Sequence, residues 1–127
     1  MRVFLVEDNQ RMKAEMERAI RSIPGGNIVK TADAATTATQ WLAENPEGWD
    51  LAIVDLFLAS GHGFEVLRNC RRALPQQRVV AVSNYARGPV DQYARDAGAD
   101  RFFDKSMDHE ALFDYCLAHS RELSAAR

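Results

Sequence analysis

Leu51-Ala52-Ile53-Val54-Asp55 is an apolar run that ends abruptly in a carboxylate, and no other stretch limits the possible folds so sharply. It has no polar face to offer water, so it belongs in a central strand covered on both sides, the habit of parallel sheets wrapped by helices. Related short runs lie at residues 2–6, 28–32, 78–82 and 100–104, the 28–32 run being more polar and so nearer a sheet edge. Between them the apolar period changes to that of helices. Residues 10–22 carry Met12, Met16, Ala19 and Ile20 on one stripe, and 34–44 follow Asp33 as a cap. Phe64, Leu67, Cys70 and Leu74 mark a third helix closed by Pro75, and Gly88-Pro89 opens a fourth that buries Val90, Tyr93, Ala94 and Ala97 before a left-handed Gly98. Ser106 is expected to cap a fifth, with Met107, Leu112, Cys116 and Leu123 on its apolar side. Five alternations of strand and helix predict an α/β chain with a parallel sheet and helices on both faces.

Composition narrows the function classes. At 127 residues the chain fits one domain, with 124–127 expected to fray. No stretch approaches the roughly 18 apolar residues of a membrane span. The first apolar run is too short for a signal peptide and turns acidic at once, so an intracellular, cytoplasmic chain is expected, with no membrane partner. A net charge of −2, with thirteen Arg and three Lys scattered among acids, gives no footprint for direct nucleic-acid binding. Cys70 and Cys116 are expected as buried free thiols in a reducing compartment. Cys116 and His119 share a helical face, but two ligands make no metal site, and a surface histidine beside a buried thiol is expected.

In open α/β sheets, ligands gather at the carboxyl ends of the strands. Those ends carry Glu7 and Asp8 from the first strand, Asp55 from the third, Ser83 from the fourth and Lys105 from the fifth. Three carboxylates crowded together repel one another, and hard oxygen donors with no His or Cys among them select Mg²⁺. Lys105 and the Ser83 hydroxyl are donors suited to the far side of a phosphoryl group. Asp55 is then a nucleophile toward phosphorus, forming an aspartyl phosphate.

Val6-Glu7-Asp8-Asn9, Val54-Asp55-Leu56-Phe57-Leu58 with Gly63 eight residues beyond Asp55, Ala81-Val82-Ser83-Asn84 and Phe102-Phe103-Asp104-Lys105 together resemble the receiver domain of two-component response regulators. The resemblance extends over the whole chain, assigning 1–123 to a receiver of single-domain type. It implies a flavodoxin-like (βα)5 doubly wound sheet of strand order 2-1-3-4-5. It also implies phosphoryl transfer to Asp55 from a sensor histidine kinase or histidine phosphotransfer protein. By the same resemblance Asp8, Asp55 and the Phe57 carbonyl ligate Mg²⁺, Glu7 acts through water, Ser83 is the switch hydroxyl, Phe102 the switch aromatic and Lys105 the phosphoryl contact. The altered surface, meant for a downstream protein, is that of the fourth helix, fifth strand and fifth helix.

The chain departs from the family in two loops. Ser106 stands where a proline usually follows the lysine, and Ala59 stands where another proline is common, which predicts a looser loop at 60–63. Bulky Phe57 and Tyr85 flank the path of an attacking water, so slow autodephosphorylation is expected rather than turnover as an enzyme. A receiver-like module that signals without phosphate is one alternative, and a Mg²⁺-dependent phosphohydrolase is another. The second lacks a cap domain and a second Asp two residues after Asp55.

Overall fold

The structure, a computed structural model, describes residues 1–84 and 88–126. Its strands are β1 (Arg2–Val6), β2 (Asn27–Ala32), β3 (Leu51–Asp55), β4 (Arg78–Ser83) and β5 (Arg101–Asp104). They form one sheet in the order β2-β1-β3-β4-β5, every pair parallel. The helices are α1 (Gln10–Ser22), α2 (Ala35–Glu44), α3 (Gly63–Asn69), α4 (Val90–Asp96) and α5 (His109–Ala125). The expected fold class and strand order are both present.

Alternation along each strand divides the interior into two cores. Phe4, Val6, Ala52, Val54, Val79 and Ala81 face α2, α3 and α4, whose Ala38, Val66 and Ala94 pack against them. Val3, Leu5, Leu51, Ile53, Val80 and Val82 face the other way, onto Ile20 of α1 and Leu112 and Cys116 of α5. β3, at the centre, is buried at all five positions, as its lack of a polar face requires. β2, at the edge, is only half-buried along most of its length, which explains its more polar composition.

Several local expectations need correction. Asp33 does not cap α2; the N-cap is Ala34, and the Ala35 N–H donates instead to the Ser60 carbonyl at 3.1 Å, so a neighbouring loop supplies the acceptor. Ser106 does not cap α5, which begins after Asp108, and Met107 is 79% exposed. α3 stops at Asn69; Leu74 lies beyond it, its N–H held by the side-chain oxygen of buried Gln77 at 3.1 Å. Tyr93 is 57% exposed rather than buried. α5 runs through Ser124 and Ala125, residues expected to fray, and Arg127 lies outside the described residues. The end of α4 is as expected: Gly98 has φ of +119°, and Gly98 and Ala99 donate back to the Arg95 and Ala94 carbonyls, both at 3.0 Å.

Candidate functional site

Parallel pairing brings the strand ends together because each register carries its carboxyl end to the same edge. The Glu7 N–H extends the ladder past β1 by donating to Ala32 O at 2.9 Å, which fixes Glu7 at the tip with its side chain fully buried. Asn9 then caps α1, its side-chain oxygen accepting from Met12 N at 2.9 Å, so Glu7 and Asp8 sit in the turn between strand and helix. Asp55 closes β3 opposite Val82, and Ser83 follows Val82 into the same edge, also fully buried. The Lys105 N–H donates to the Ser83 carbonyl at 3.0 Å, which ties the end of β5 to that of β4.

These backbones aim their side chains at one another. Lys105 Nζ lies 2.6 Å from Glu7 Oε1 and 3.0 Å from Asp55 Oδ2. Glu7, Asp8 and Asp55 can each present an oxygen within 4.8 Å of the other two. Two buried carboxylates against one buried ammonium leave one negative charge uncompensated, and half-buried Asp8 adds another beside it. Burial pushes the Glu7 carboxyl above its ordinary range and the Asp55 charge adds to this, with the Lys105 contact opposing both. For Lys105, burial works against the charged form, yet the contacts with Glu7 and Asp55 outweigh it and hold the ammonium above its usual range.

The donor set fits a hard divalent cation: oxygens alone, gathered within one ion's reach, and an excess of negative charge that the protein does not neutralise. Asp8, Asp55 and Glu7 are the carboxylates such an ion would use.

The loops around the site are more tightly held than their sequences imply. Asp8 Oδ2 accepts the Ala59 N–H, and Asp55 Oδ1 accepts the Phe57 N–H at 3.1 Å. The 60–63 loop, expected to be looser without a proline, is fastened by a bridge between Phe57 and His62 and by Ser60 O on α2. Gly61, at φ +84°, packs so closely that a Cβ there would meet the Ala35 Cβ at 2.5 Å. Gly63 is tighter still, since its Cβ would lie 2.1 Å from the Asp55 carbonyl oxygen. After Lys105 the chain has no proline and no cis peptide; Asp104 organises the turn instead. Its Oδ1 accepts from Ser106 N and Ser106 Oγ at 2.8 Å each and from Met107 N at 3.0 Å, and the Ser106 hydroxyl leads the contacts that lower its pKa. This role of Asp104 was missed from sequence, although an Asp two residues before a Ser in a loop is a recognisable turn signal.

The structure thus brings together Glu7, Asp8, Asp55, Ser83 and Lys105. Phe57 follows them at the rim, 44% exposed, with its ring edge-on to Phe64. Phe102 lies on β5 opposite Ala81, half-buried against the core beneath α3 and α4. Tyr85 lies outside the described residues.

Residues 3–116 match the family described as the response regulator receiver domain. The chain belongs to that family. Receivers accept phosphate on an aspartate and bind Mg²⁺ at an acidic pocket, as general properties of the group. Among relatives, the two-component response regulator ORR41 of Oryza sativa subsp. japonica is 30% identical over 88% of this chain and 88% of its own length. The response regulator UvrY of Escherichia coli is 23% identical over 81% of this chain, but the match spans only 46% of UvrY. The chain therefore covers most of one relative and about half of the other. Among solved structures, CheY in the CheX-CheY-BeF3-Mg complex of Borrelia burgdorferi superposes with a TM-score of 0.78 at 20% identity, covering 97% of this receiver and 88% of that chain. Among the described residues of this receiver, no helix is long and apolar enough to cross a membrane.

Proposed function

We propose that this receiver is a phosphorylation-activated switch that takes a phosphoryl group on Asp55 from a sensor histidine kinase or a histidine phosphotransfer protein. The observation that carries the reading is the placement of Lys105 Nζ between Glu7 and Asp55, under a cluster of three carboxylates. An Asp55 oxygen attacks phosphorus; the bond from phosphorus to the donor's imidazole nitrogen breaks, and its electron pair leaves with the imidazole, which takes up a proton. Mg²⁺, held by Asp8, Asp55 and the Phe57 carbonyl directly and by Glu7 through water, would offset the negative charge of carboxylates and phosphoryl oxygens when bound. Lys105 and the Ser83 hydroxyl donate to the phosphoryl oxygens, while the Ala59 N–H bond to Asp8 and the Phe57 N–H bond to Asp55 hold the carboxylates in place. The CheY relative was solved with CheX, BeF3 and Mg²⁺, which supports a phosphoryl acceptor that another protein reads.

The new group adds roughly −1.5 to −2 charges and three strong acceptors. Ser83 turns toward it, Phe102 moves into the space released, and the surface of α4, β5 and α5 changes for a downstream protein. Phe57, exposed at the rim, screens the acyl phosphate from water and slows autodephosphorylation. Phe57→Asn is expected to lose phosphate faster than the parent; an unchanged rate would remove that role from Phe57.

Intact mass after incubation with acetyl phosphate and Mg²⁺ tests the main reading. One added phosphate is expected in the parent and none in Asp55→Asn or without Mg²⁺. Failure of the parent to gain mass, with no inorganic phosphate released, would favour a module that signals without phosphate.

A further inference from the structure

Lys105 holds its ammonium between Glu7 and Asp55 although its backbone lies in a turn just past the end of β5. A lysine side chain is a flexible stem, so its charge is placed only as well as the backbone beneath it is fixed. On the amino-terminal side, the Lys105 N–H anchors that backbone to the Ser83 carbonyl at 3.0 Å. On the other side residues 105–107 form the turn, and Ser106 does not restrain the chain there as a proline would. Two aspartates hold it instead. Asp104 Oδ1 reaches past Lys105 to accept from Ser106 N and Ser106 Oγ at 2.8 Å each and from Met107 N at 3.0 Å. Asp108 stands at the N-cap of α5, where a carboxylate ordinarily accepts from the first N–H groups of its own helix. It makes no such bond. Its Oδ2 turns back to accept the Asp104 N–H at 3.0 Å, while the Asp108 N–H donates to the Asp104 carbonyl at 2.9 Å. The helix forgoes its side-chain cap, and the lysine turn is closed from both ends.

We infer that Asp104 and Asp108 are positioning residues for Lys105, a reciprocal clamp across the 105–107 turn that fixes the lysine's backbone and thereby sets its ammonium between Glu7 and Asp55. The consequence for phosphoryl contact rests on the function proposed above; the consequence for the ammonium in the resting protein does not. Asp104 acts through hydrogen-bond geometry rather than charge, since among the described residues the ion pairs of Lys105 are with Glu7 and Asp55. An amide oxygen accepts hydrogen bonds as a carboxylate oxygen does, so Asn at position 104 keeps the clamp and Ala removes it. Misplacing a reacting group by about 1 Å can cost a factor on the order of 10² in rate, so a loosened turn is felt at Asp55 without any contact between Asp104 and the phosphoryl group.

The test has two readouts on the intact protein, with an unchanged core spectrum showing that each variant is folded. The first is proton exchange at the lysine ammonium groups in protein carrying ¹⁵N at lysine Nζ. Lys13 and Lys30 are half-buried and Lys105 is buried, so the Lys105 ammonium should give the protected signal. Asp104→Ala and Asp108→Ala should each speed its exchange roughly tenfold, and Asp104→Asn should leave it near the parent's rate. The second is the initial rate of phosphate gain from acetyl phosphate and Mg²⁺, read by intact mass. Asp104→Ala should lower that rate roughly tenfold. In a Lys105→Ala background the same substitution should lower it no further, because nothing is left to position. The inference falls if Asp104→Ala leaves the Lys105 ammonium protected, or if Asp104→Asn loses as much as Asp104→Ala, which would make charge the cause. It falls too if the losses of Asp104→Ala and Lys105→Ala multiply, the mark of a merely structural role. A parent that gains no phosphate, while its Lys105 signal still depends on Asp104, would uphold the clamp and remove the phosphoryl reading instead.

Discussion

The two ends of the sheet both bury charge, yet they treat it differently. At the amino-terminal end Asp50 accepts from Arg2 N at 2.7 Å, Arg2 Nε at 3.2 Å and Arg2 Nη2 at 3.0 Å, so one acid meets one base with hydrogen bonds on both oxygens. Beside it Gln77 donates to the Pro46 and Trp49 carbonyls and accepts from Leu74, and His119 Nε2 lies 3.1 Å from the Asp50 carbonyl. At the carboxyl-terminal end two buried acids share Lys105, with Asp8 beside them. Charge is balanced at the amino-terminal end, although the buried Trp49 Nε1 and His119 Nδ1 have no hydrogen-bond partner there among the described residues; the carboxyl-terminal end is left wanting positive charge. Buried charge is ordinarily paired within the fold, so the end with the unmatched carboxylates marks where a cationic ligand is expected.

The largest expected effect would break the open end mechanically. Gly63→Ala puts a methyl against the Asp55 carbonyl and the Leu56 Cα, both backbone, and should cost about 3 kcal/mol in chemical denaturation while displacing Asp55. The same substitution at Gly25, which is at positive φ with open space around it, should cost about 1 kcal/mol. A loss at Gly63 no larger than at Gly25 would mean that the close approach to the Asp55 and Leu56 backbone carries no cost.

Next comes one chemical change made at each end. Asp50→Asn weakens a neutral, fully bonded pair and should lower stability by about 2 kcal/mol. Asp55→Asn leaves Lys105 matched with Glu7 alone, and should change stability by less than about 1 kcal/mol or raise it, since sites kept for function are often strained. A larger loss at Asp55 than at Asp50 would overturn the contrast.

The smallest effect concerns pH. Burial raises the Asp50 carboxyl, but the contacts with Arg2 outweigh it and leave its pKa below the ordinary value of 3.8. A group depressed on folding contributes stability that is full above its unfolded pKa and disappears as pH falls through the folded one. Unfolding midpoints measured from pH 5 down to pH 2 should therefore drop less steeply in Asp50→Asn than in the parent.

Which parts of this were legible in sequence follows from where each structural cause resides. Strand β3 and the acids at the strand tips could be read directly, because continuous burial and the abrupt carboxylate are written locally in residues 51–55. The identity of the helix caps could not, since α2 takes its first acceptor from Ser60, which comes far later in the chain. His119, expected at the surface beside Cys116, is buried because α5 crosses the amino-terminal sheet end and meets the Asp50 carbonyl. Nothing within one turn of that helix announces a contact 69 residues away. Lys105 was placed despite the missing proline, and the Asp104 carboxylate shows how that turn is held.

The most direct test of the contrast is the melting midpoint against Mg²⁺ concentration at constant ionic strength. A cation that binds the folded chain raises the midpoint by linkage. The parent and Asp50→Asn should both gain stability as Mg²⁺ is added, and Asp8→Ala should lose most of that gain. A flat response in the parent, or an undiminished one in Asp8→Ala, would contradict the claim that the Asp55 end of the sheet is completed by a divalent cation.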